Sequence, residues 1–258
     1  MPTRIPALFV SHGAPSILLD ESPTRSFLQQ LGRTVGRPKG IVCISAHWGT
    51  AAPQVTLHPQ PATLYDFGGF PEELYQRTYP APGDPTLAQQ VLTLLRADGV
   101  PAEPNPSRGL DHGVWVPLML SYPAADVPVV QLSVQPDAGP EQHLAIGRAL
   151  RSLPDEGILI LASGAATHNL RDFSRYPLLS PPVPYAREFA DWLKDAVLQG
   201  RTDELLQYRQ RAPHARLNHP TPEHFLPLFV ALGAGGAGRI LHDAYTYGVL
   251  SMAAFAWQ

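Results

Sequence analysis

A single cysteine, Cys43, stands in the 258-residue chain. No intramolecular disulfide can form, which suits a reducing cytosol. Its place inside the apolar run Ile41–Ser45 reads as a buried structural thiol rather than a nucleophile. Charge is also scarce. Asp, Glu, Lys and Arg make up 16% of the residues, against a usual ~25%. The net charge is −3, and Lys and Arg form no run. A nucleic-acid surface and a polybasic membrane patch are therefore excluded. No apolar stretch approaches the ~18 residues of a membrane helix, and Met1–Pro6 lacks the apolar region of a signal peptide. The expectation is a cytoplasmic protein that acts on small, neutral or mildly polar molecules. Familiar catalytic loops are missing too. There is no P-loop, and Ser163 has no G-x-S-x-G elbow around it. Gly233–Gly238 spells G-x-G-x-x-G, but it follows a helix pattern and precedes a strand pattern, the reverse of a dinucleotide site. It reads as a flexible helix exit.

Proline, by contrast, is abundant, with 29 residues scattered along the chain. Many connections must be rigid, shaped loops, which is where sites are built. Continuous apolar runs predict strands at Ala7–Ser11, Gly40–Ser45, Gln54–Leu57, Val127–Val134, Gly157–Ala162 and Arg239–His242. Such runs fit strands covered on both faces. Helical periodicity marks Pro85–Ala97, Glu141–Leu153, Tyr185–Leu198, Asp203–Tyr208 and Thr221–Leu232. Pro101–Arg108 and Leu178–Pro184 read as loops. Alternating strands and helices predict an α/β fold, a single domain over 1–258 with a central, largely parallel or mixed sheet flanked by helices.

Three of these strands end toward a histidine. Val10-Ser11 leads to His12, Ser45-Ala46 leads to His47, and Ser163-Gly164 leads on to Thr167-His168-Asn169. One histidine after a strand is ordinarily a hydrogen-bonded structural residue. Three at the carboxyl edge of one sheet, where such folds bind ligands, favour a metal site instead, because neutral imidazole is the commonest protein metal ligand. A fourth segment, His219-Pro220-Thr221-Pro222-Glu223-His224, has Thr221 as an N-cap and Pro222 at the first helical position. That places His224 in the first turn, where the helix dipole keeps its imidazole neutral and free for a metal. Pro227 should then kink the helix. In Asp111-His112-Gly113 two readings stay open: His112 beside the site, or Asp111 as a plain cap with His112 exposed. His219 is either a support behind His224 or faces the substrate. His58, His143, His214 and His242 lack such settings, and His143 reads as a surface residue of a helix.

Together, Ser11-His12-Gly13-Ala14-Pro15, Ser45-Ala46-His47-Trp48, Asp111-His112-Gly113-Val114-Trp115, Ser163-Gly164 with Thr167-His168-Asn169, and the His219–His224 segment resemble the class III extradiol ring-cleavage dioxygenases. The nearest branch is the DOPA 4,5-dioxygenase-like one, related to the catalytic subunit of protocatechuate 4,5-dioxygenase, and the likeness spans about residues 5–257. The resemblance implies an Fe(II) site at the sheet's C-terminal edge, held by His12, His47 and His224, with a catechol and O2 as reactants. It implies His168 as the acid/base and His112 as a substrate-pocket histidine. It also leaves zinc as a second metal, with His168 then a possible fourth ligand. The protocatechuate enzyme carries a glutamate where this chain has His224, so the metal's charge is not compensated by a ligand. Trp48, Tyr65, Phe67, Trp115 and Tyr247 are candidates to pack against a ring. A zinc hydrolase of small esters or amides and a metal or tetrapyrrole chelatase-type carrier also stay open on the residues alone. The ring bond cleaved and the oligomeric state are not legible.

Overall fold

Four apolar runs make the centre of the sheet, and each is buried along its whole described length or nearly so. They are β1 (Ala7–Ser11), β2 (Gly40–Gly49), β5 (Val129–Val134) and β6 (Ile158–Gly164). Short strands β3 (Gln54–Thr56) and β4 (Glu103–Asn105) extend one side. β7 (Gly238–His242) and β10 (Ala254–Trp257) extend the other, and β8 (Tyr245–Thr246) and β9 (Leu250–Ser251) form a separate hairpin. The computed structural model describes residues 4–258. Its main sheet has eight strands in the order β4-β3-β5-β2-β6-β1-β10-β7. The run β5-β2-β6-β1 is parallel, and β10 returns antiparallel to β1 and to β7.

Side chains alternate across this sheet as the pleat requires. Phe9, Val42, Ile44, Val130, Leu132, Ile160 and Phe255 enter one core, with Leu87 and Val91 of α3 (Pro85–Ala97), Leu144 and Ile146 of α5 (Gly139–Ala149), Phe189 of α7 (Pro184–Leu198) and most of α11 (Leu226–Ala234). Leu8, Val10, Ile41, Cys43, Leu159 and Leu161 enter the other, with Leu28 and Leu31 of α1 (Pro23–Val35) and Val114, Trp115 and Leu118 of α4 (His112–Ser121). Short helices complete the chain: α2 (Glu72–Tyr75), α6 (Leu170–Phe173), α8 (Thr202–Leu206), α9 (Tyr208–Arg211) and α10 (Ala215–Asn218). The α/β expectation therefore holds, with helices on both faces of a mixed, mostly parallel sheet. Cys43 is buried and free. Among the described residues no helix is long and apolar enough to cross a membrane.

Several local expectations need correction. The last large helix starts at Leu226, not Thr221, with Phe225 in the cap position. Thr221 is not its cap; its hydroxyl donates to Glu223 instead. Pro227 lies in the first turn, where a missing N–H costs nothing, so it starts the helix and does not kink it. The glycine run at the end of α11 is not a loose exit. A Cβ on Gly233 would lie 2.3 Å from the Leu144 carbonyl oxygen, and one on Gly147 would lie 2.1 Å from that of Val230, so helices α5 and α11 touch backbone to backbone. Asp203–Tyr208 divides into α8 and α9, and Pro101–Arg108 contains β4. α1 and β10 were not anticipated.

His143 is fully buried, not on the surface. Its Nδ1–H donates to Gly139 O at 2.6 Å and its Nε2 accepts from the Gln135 N–H at 3.1 Å. Burial lowers its pKa to about 4. An unfolded imidazole titrates near ~6.5, so the unfolded chain takes up the proton first as pH falls. The stability contributed by neutral His143 is thus full above pH ~6.5 and is lost down to pH ~4. Between pH 7 and 5 this one group should account for about 2 kcal/mol. Urea unfolding of the chelator-treated protein should show that loss shrinking by this amount in His143→Gln; an unchanged difference between the two pH values would refute the assignment.

Candidate metal centre and substrate cavity

The sheet's carboxyl edge is rigid because its strands are buried, and the imidazoles inherit that rigidity. His12 follows β1, and its backbone N–H donates to Gly164 O at 3.0 Å. His47 lies near the end of β2, which neighbours β6 with Ser45 opposite Ser163. His224 arrives from the turn before α11, where its carbonyl accepts the Ala165 N–H at 2.8 Å. A Cβ on Gly164 would sit 2.2 Å from that carbonyl oxygen, so this strand end must be glycine for the His224 segment to approach.

The three side chains meet. His12 Nε2 lies 3.0 Å from His47 Nε2, which lies 3.3 Å from His224 Nε2. Metal–nitrogen bonds of ~2.1 Å place neighbouring ligand nitrogens ~3.0 Å apart at right angles and ~3.4 Å apart in a tetrahedron. The donor set fits a single first-row transition metal. Their other nitrogens are anchored by oxygen. Ser163 Oγ donates to the Gly113 carbonyl, so it accepts from His12 Nδ1–H at 2.9 Å. His224 Nδ1–H donates to Glu223 Oε1 at 3.1 Å. His47 Nδ1 lies 3.8 Å from Asp66 Oδ2. Such outer partners fix which nitrogen faces a metal. Asp66 and Glu223 also place negative charge behind the imidazoles, so charge compensation comes from non-ligands.

Beneath His47 is a buried polar network. Asp111, fully buried, accepts from Ser45 Oγ at 2.6 Å, from Arg108 at 3.1 Å and from the Gln131 amide. Ser45 Oγ accepts the His47 N–H at 3.2 Å, and Arg108 donates to the His47 carbonyl at 3.3 Å. Burial pushes the Asp111 carboxyl up, while its bonds from Ser45 and Gln131 pull it back. Asp111 therefore does not cap α4 with its side chain. Asp66 does that work: its Oδ1 accepts both the His112 N–H and the His112 Nδ1–H, each at 2.9 Å.

His112 is buried, with its ring 3.8 Å from that of His47. His168 stacks on His224 at 3.4 Å with 12° between the planes. Burial holds His47 down to about 3 and His168 down to about 4, and it holds His12 and His224 well below the ordinary value; neighbouring imidazoles add to the effect on His12, His47 and His224. All four are neutral at neutral pH, the form that binds metal or accepts a proton.

A cavity of about 250 Å³ opens over these rings. His12, His47, His224, His112 and His168 line it together with Phe67, Phe70, Leu170, Phe173, Leu250 and Met252. The other ring-packing candidates stand away from its surface. Trp115 is fully buried, 6.1 Å from Phe67, and its indole N–H donates to Leu64 O. Tyr247 packs on the outer side of Phe173 at 4.2 Å. Trp48 lies under the Arg108 guanidinium. His219 is fully buried among Phe189, Tyr208 and Phe225, where its Nε2–H donates to Ala166 O at 3.0 Å. It supports the loop that carries His168 and does not face the cavity. Phe67 was expected to pack against a ring and lines the cavity, whereas Asp66, Phe70, Leu170, Phe173, Leu250 and Met252 were not anticipated. The one local sign of Asp66 is a carboxylate set between aromatics, in Tyr65-Asp66-Phe67.

An α/β edge that converges three imidazoles under an apolar cavity, with two more histidines at its sides, fits a single metal ion with room left beside it for other ligands. Comparison with known proteins narrows this. The family described as the catalytic LigB subunit of aromatic ring-opening dioxygenase matches residues 6–256. The 4,5-DOPA dioxygenase extradiol of Beta vulgaris is 42% identical over 254 residues, covering 96% of this chain and 94% of its own. The protein of the same description from Escherichia coli K12 is 44% identical over 236 residues, covering 90% and 86%. A crystal structure of the uncharacterized protein JW3007 from Escherichia coli K12 superposes with a TM-score of 0.81 at 37% identity, covering 99% of this chain and 100% of that one. The chain belongs to the LigB family of extradiol aromatic ring-opening dioxygenases, on its DOPA 4,5-dioxygenase-like side. Membership favours ring opening over the hydrolase and carrier alternatives.

The Ser163 contact yields a test. Ser163→Ala frees His12 to rotate, and chelator competition should show metal affinity reduced about 10–100-fold. His12→Ala should abolish tight binding. Equal affinities for Ser163→Ala and the parent would show that the hydroxyl does not orient the ligand.

Proposed function

We propose that this protein opens the ring of a catechol with O2 at a ferrous centre held by His12, His47 and His224. The observation that carries the reading is the meeting of three Nε2 atoms at the floor of an apolar cavity, with His112 and His168 left over at its sides. Bound iron would hold both reactants side by side and pass electrons between them. The rest falls to the chain's own residues. Asp66 accepts the His112 Nδ1–H, which leaves Nε2 to meet a substrate hydroxyl. His168, neutral and braced flat against His224, takes a proton from the second hydroxyl and returns it as the ring opens. Phe67, Phe70, Phe173 and Met252 pack the ring and keep bulk water off the reacting carbons. The imidazole set also suits zinc, which the usual affinity order favours over ferrous iron, so aerobically purified protein is expected to carry zinc and to be inactive. We assign the protein to a reducing cytosol, in keeping with its one free, buried thiol.

Anaerobic loading with Fe(II), followed by oxygen-electrode and absorbance assays on a set of catechols, tests this. Oxygen uptake matched to formation of a yellow ring-opened product is expected, and a fully iron-loaded protein that turns over no catechol would refute the reading. His168→Ala should retain its iron by metal analysis and lose about 10²–10⁴-fold in kcat. Loss of metal in that variant would make His168 a ligand instead of the acid/base.

A further inference from the structure

We infer that the substrate is a catechol whose ring substituent is short, uncharged and apolar, and that Phe70, Leu170 and Phe173 select it. The inference rests on the ring-opening reading and concerns the end of the substrate away from the metal. The two oxygens of a catechol must lie at the imidazole floor, because every other side chain of the cavity wall lacks a free polar group. Thr167, the one hydroxyl there, is turned away: its Oγ1 donates to Val249 O at 2.8 Å and accepts the Ser251 N–H. With the diol end placed, the rest of the ring and its substituent must run along the apolar lining that Phe67, Phe70, Leu170, Phe173, Leu250 and Met252 supply.

Among the described residues no Lys, Arg, Asp, Glu, Asn or Gln lines this path. The charged groups that touch the imidazole rings are carboxylates, Asp66 and Glu223, which repel an anion, and the Arg108 guanidinium behind His47 is tied to Asp111. Just past α6 the guanidinium of Arg175 is tied to Asp172 at 2.8 Å, and Arg171 of α6 is not part of the cavity lining. Leu170 carries the apolar lining out to the mouth, where it is 56% exposed. A carboxylate or a zwitterionic amino-acid group drawn into this passage would give up its hydration without gaining a partner. An alkyl group loses no hydrogen bond and buries apolar surface. The volume of about 250 Å³ falls just below the ~300–1,000 Å³ usual for ligand pockets, which suits one ring with a short chain. Relatives described by their action on DOPA act on a zwitterion. This chain's own wall offers such a group nothing.

The test is a series matched in shape: 4-propylcatechol, 3-(3,4-dihydroxyphenyl)propionate, dopamine and DOPA. Each is titrated anaerobically against the iron-loaded full-length protein, and kcat/KM is then measured in air. 4-Propylcatechol should bind at least tenfold more tightly than the propionate or DOPA and show the highest kcat/KM. Leu170→Arg, a change at an exposed site, should improve the propionate relative to 4-propylcatechol by a similar factor and leave metal content unchanged. A propionate, DOPA or dopamine that equals or exceeds 4-propylcatechol in both measures overturns the inference and leaves ring opening intact. Failure of iron-loaded protein to open any member overturns the catechol reading itself, and the anaerobic ranking still decides which substituent the passage accepts.

Discussion

Three imidazole nitrogens brought within 3.0–3.3 Å of one another are the constraint on which the rest of this structure depends. Two of them, on His12 and His224, have their partner nitrogens committed as donors, so their lone pairs point into the shared space. A neutral His47 can turn one Nε2–H onto a neighbour, at 3.0 Å from His12; only a cation between the three rings satisfies all of their lone pairs at once. They stay in place because each is held by a different, fully buried piece of backbone. The parallel strands supply two, and the segment pressed against Gly164 supplies the third. The desolvation that pushes these imidazoles toward the neutral form is the same burial that makes the strands rigid. Stability and metal readiness thus come from one cause.

Around that point the protein separates polar from apolar work. Below and behind the rings lies a web of Ser45, Asp111, Arg108, Gln131, Ser163, Asp66 and Glu223, which reaches His47 through Ser45 and Arg108, His12 through Ser163, His224 through Glu223 and His112 through Asp66. In front lies an apolar wall with no polar group to spare. On the ring-opening reading, the polar groups would tune the metal and the apolar groups would hold the ring and exclude water. His112 and His168 stand at the boundary, each braced by the polar side, through Asp66 and through the stack on His224, and each open to the apolar side.

How far this was legible from the residues follows from how local each signal is. His12 and His47 were readable because a buried strand is a run of apolar residues, and the first polar residue at its end must emerge at the sheet edge. His168 follows the same rule at slightly longer range. His224 was placed beside the others correctly, yet for a partly wrong reason, since the helix begins beyond it and its neutrality comes from burial, not a helix dipole. Asp66 was invisible because it sits in a loop with no periodicity, and its partners are 46 residues away. Trp115 and Tyr247 look like ring-binding residues by type, but they form the layer behind Phe67 and Phe173; composition cannot tell a lining aromatic from its support. His143 was misplaced because a polar residue in an amphipathic helix defaults to the surface, whereas this one completes a buried hydrogen-bond pair with Gln135 and Gly139. Strand β10 was missed because its small residues, Ala254 and Ala256, weaken the apolar signal of an otherwise central strand.

The hairpin of β8 and β9 contributes Leu250, and the residues just after it contribute Met252, to the cavity, yet the metal-facing histidines all come from other parts of the chain. The part of the cavity wall that comes from this hairpin is thus separate in the chain from the histidine cluster. Change in this hairpin can therefore re-cut the cavity while the histidine cluster keeps its shape, so related chains can diversify in diet without rebuilding that cluster.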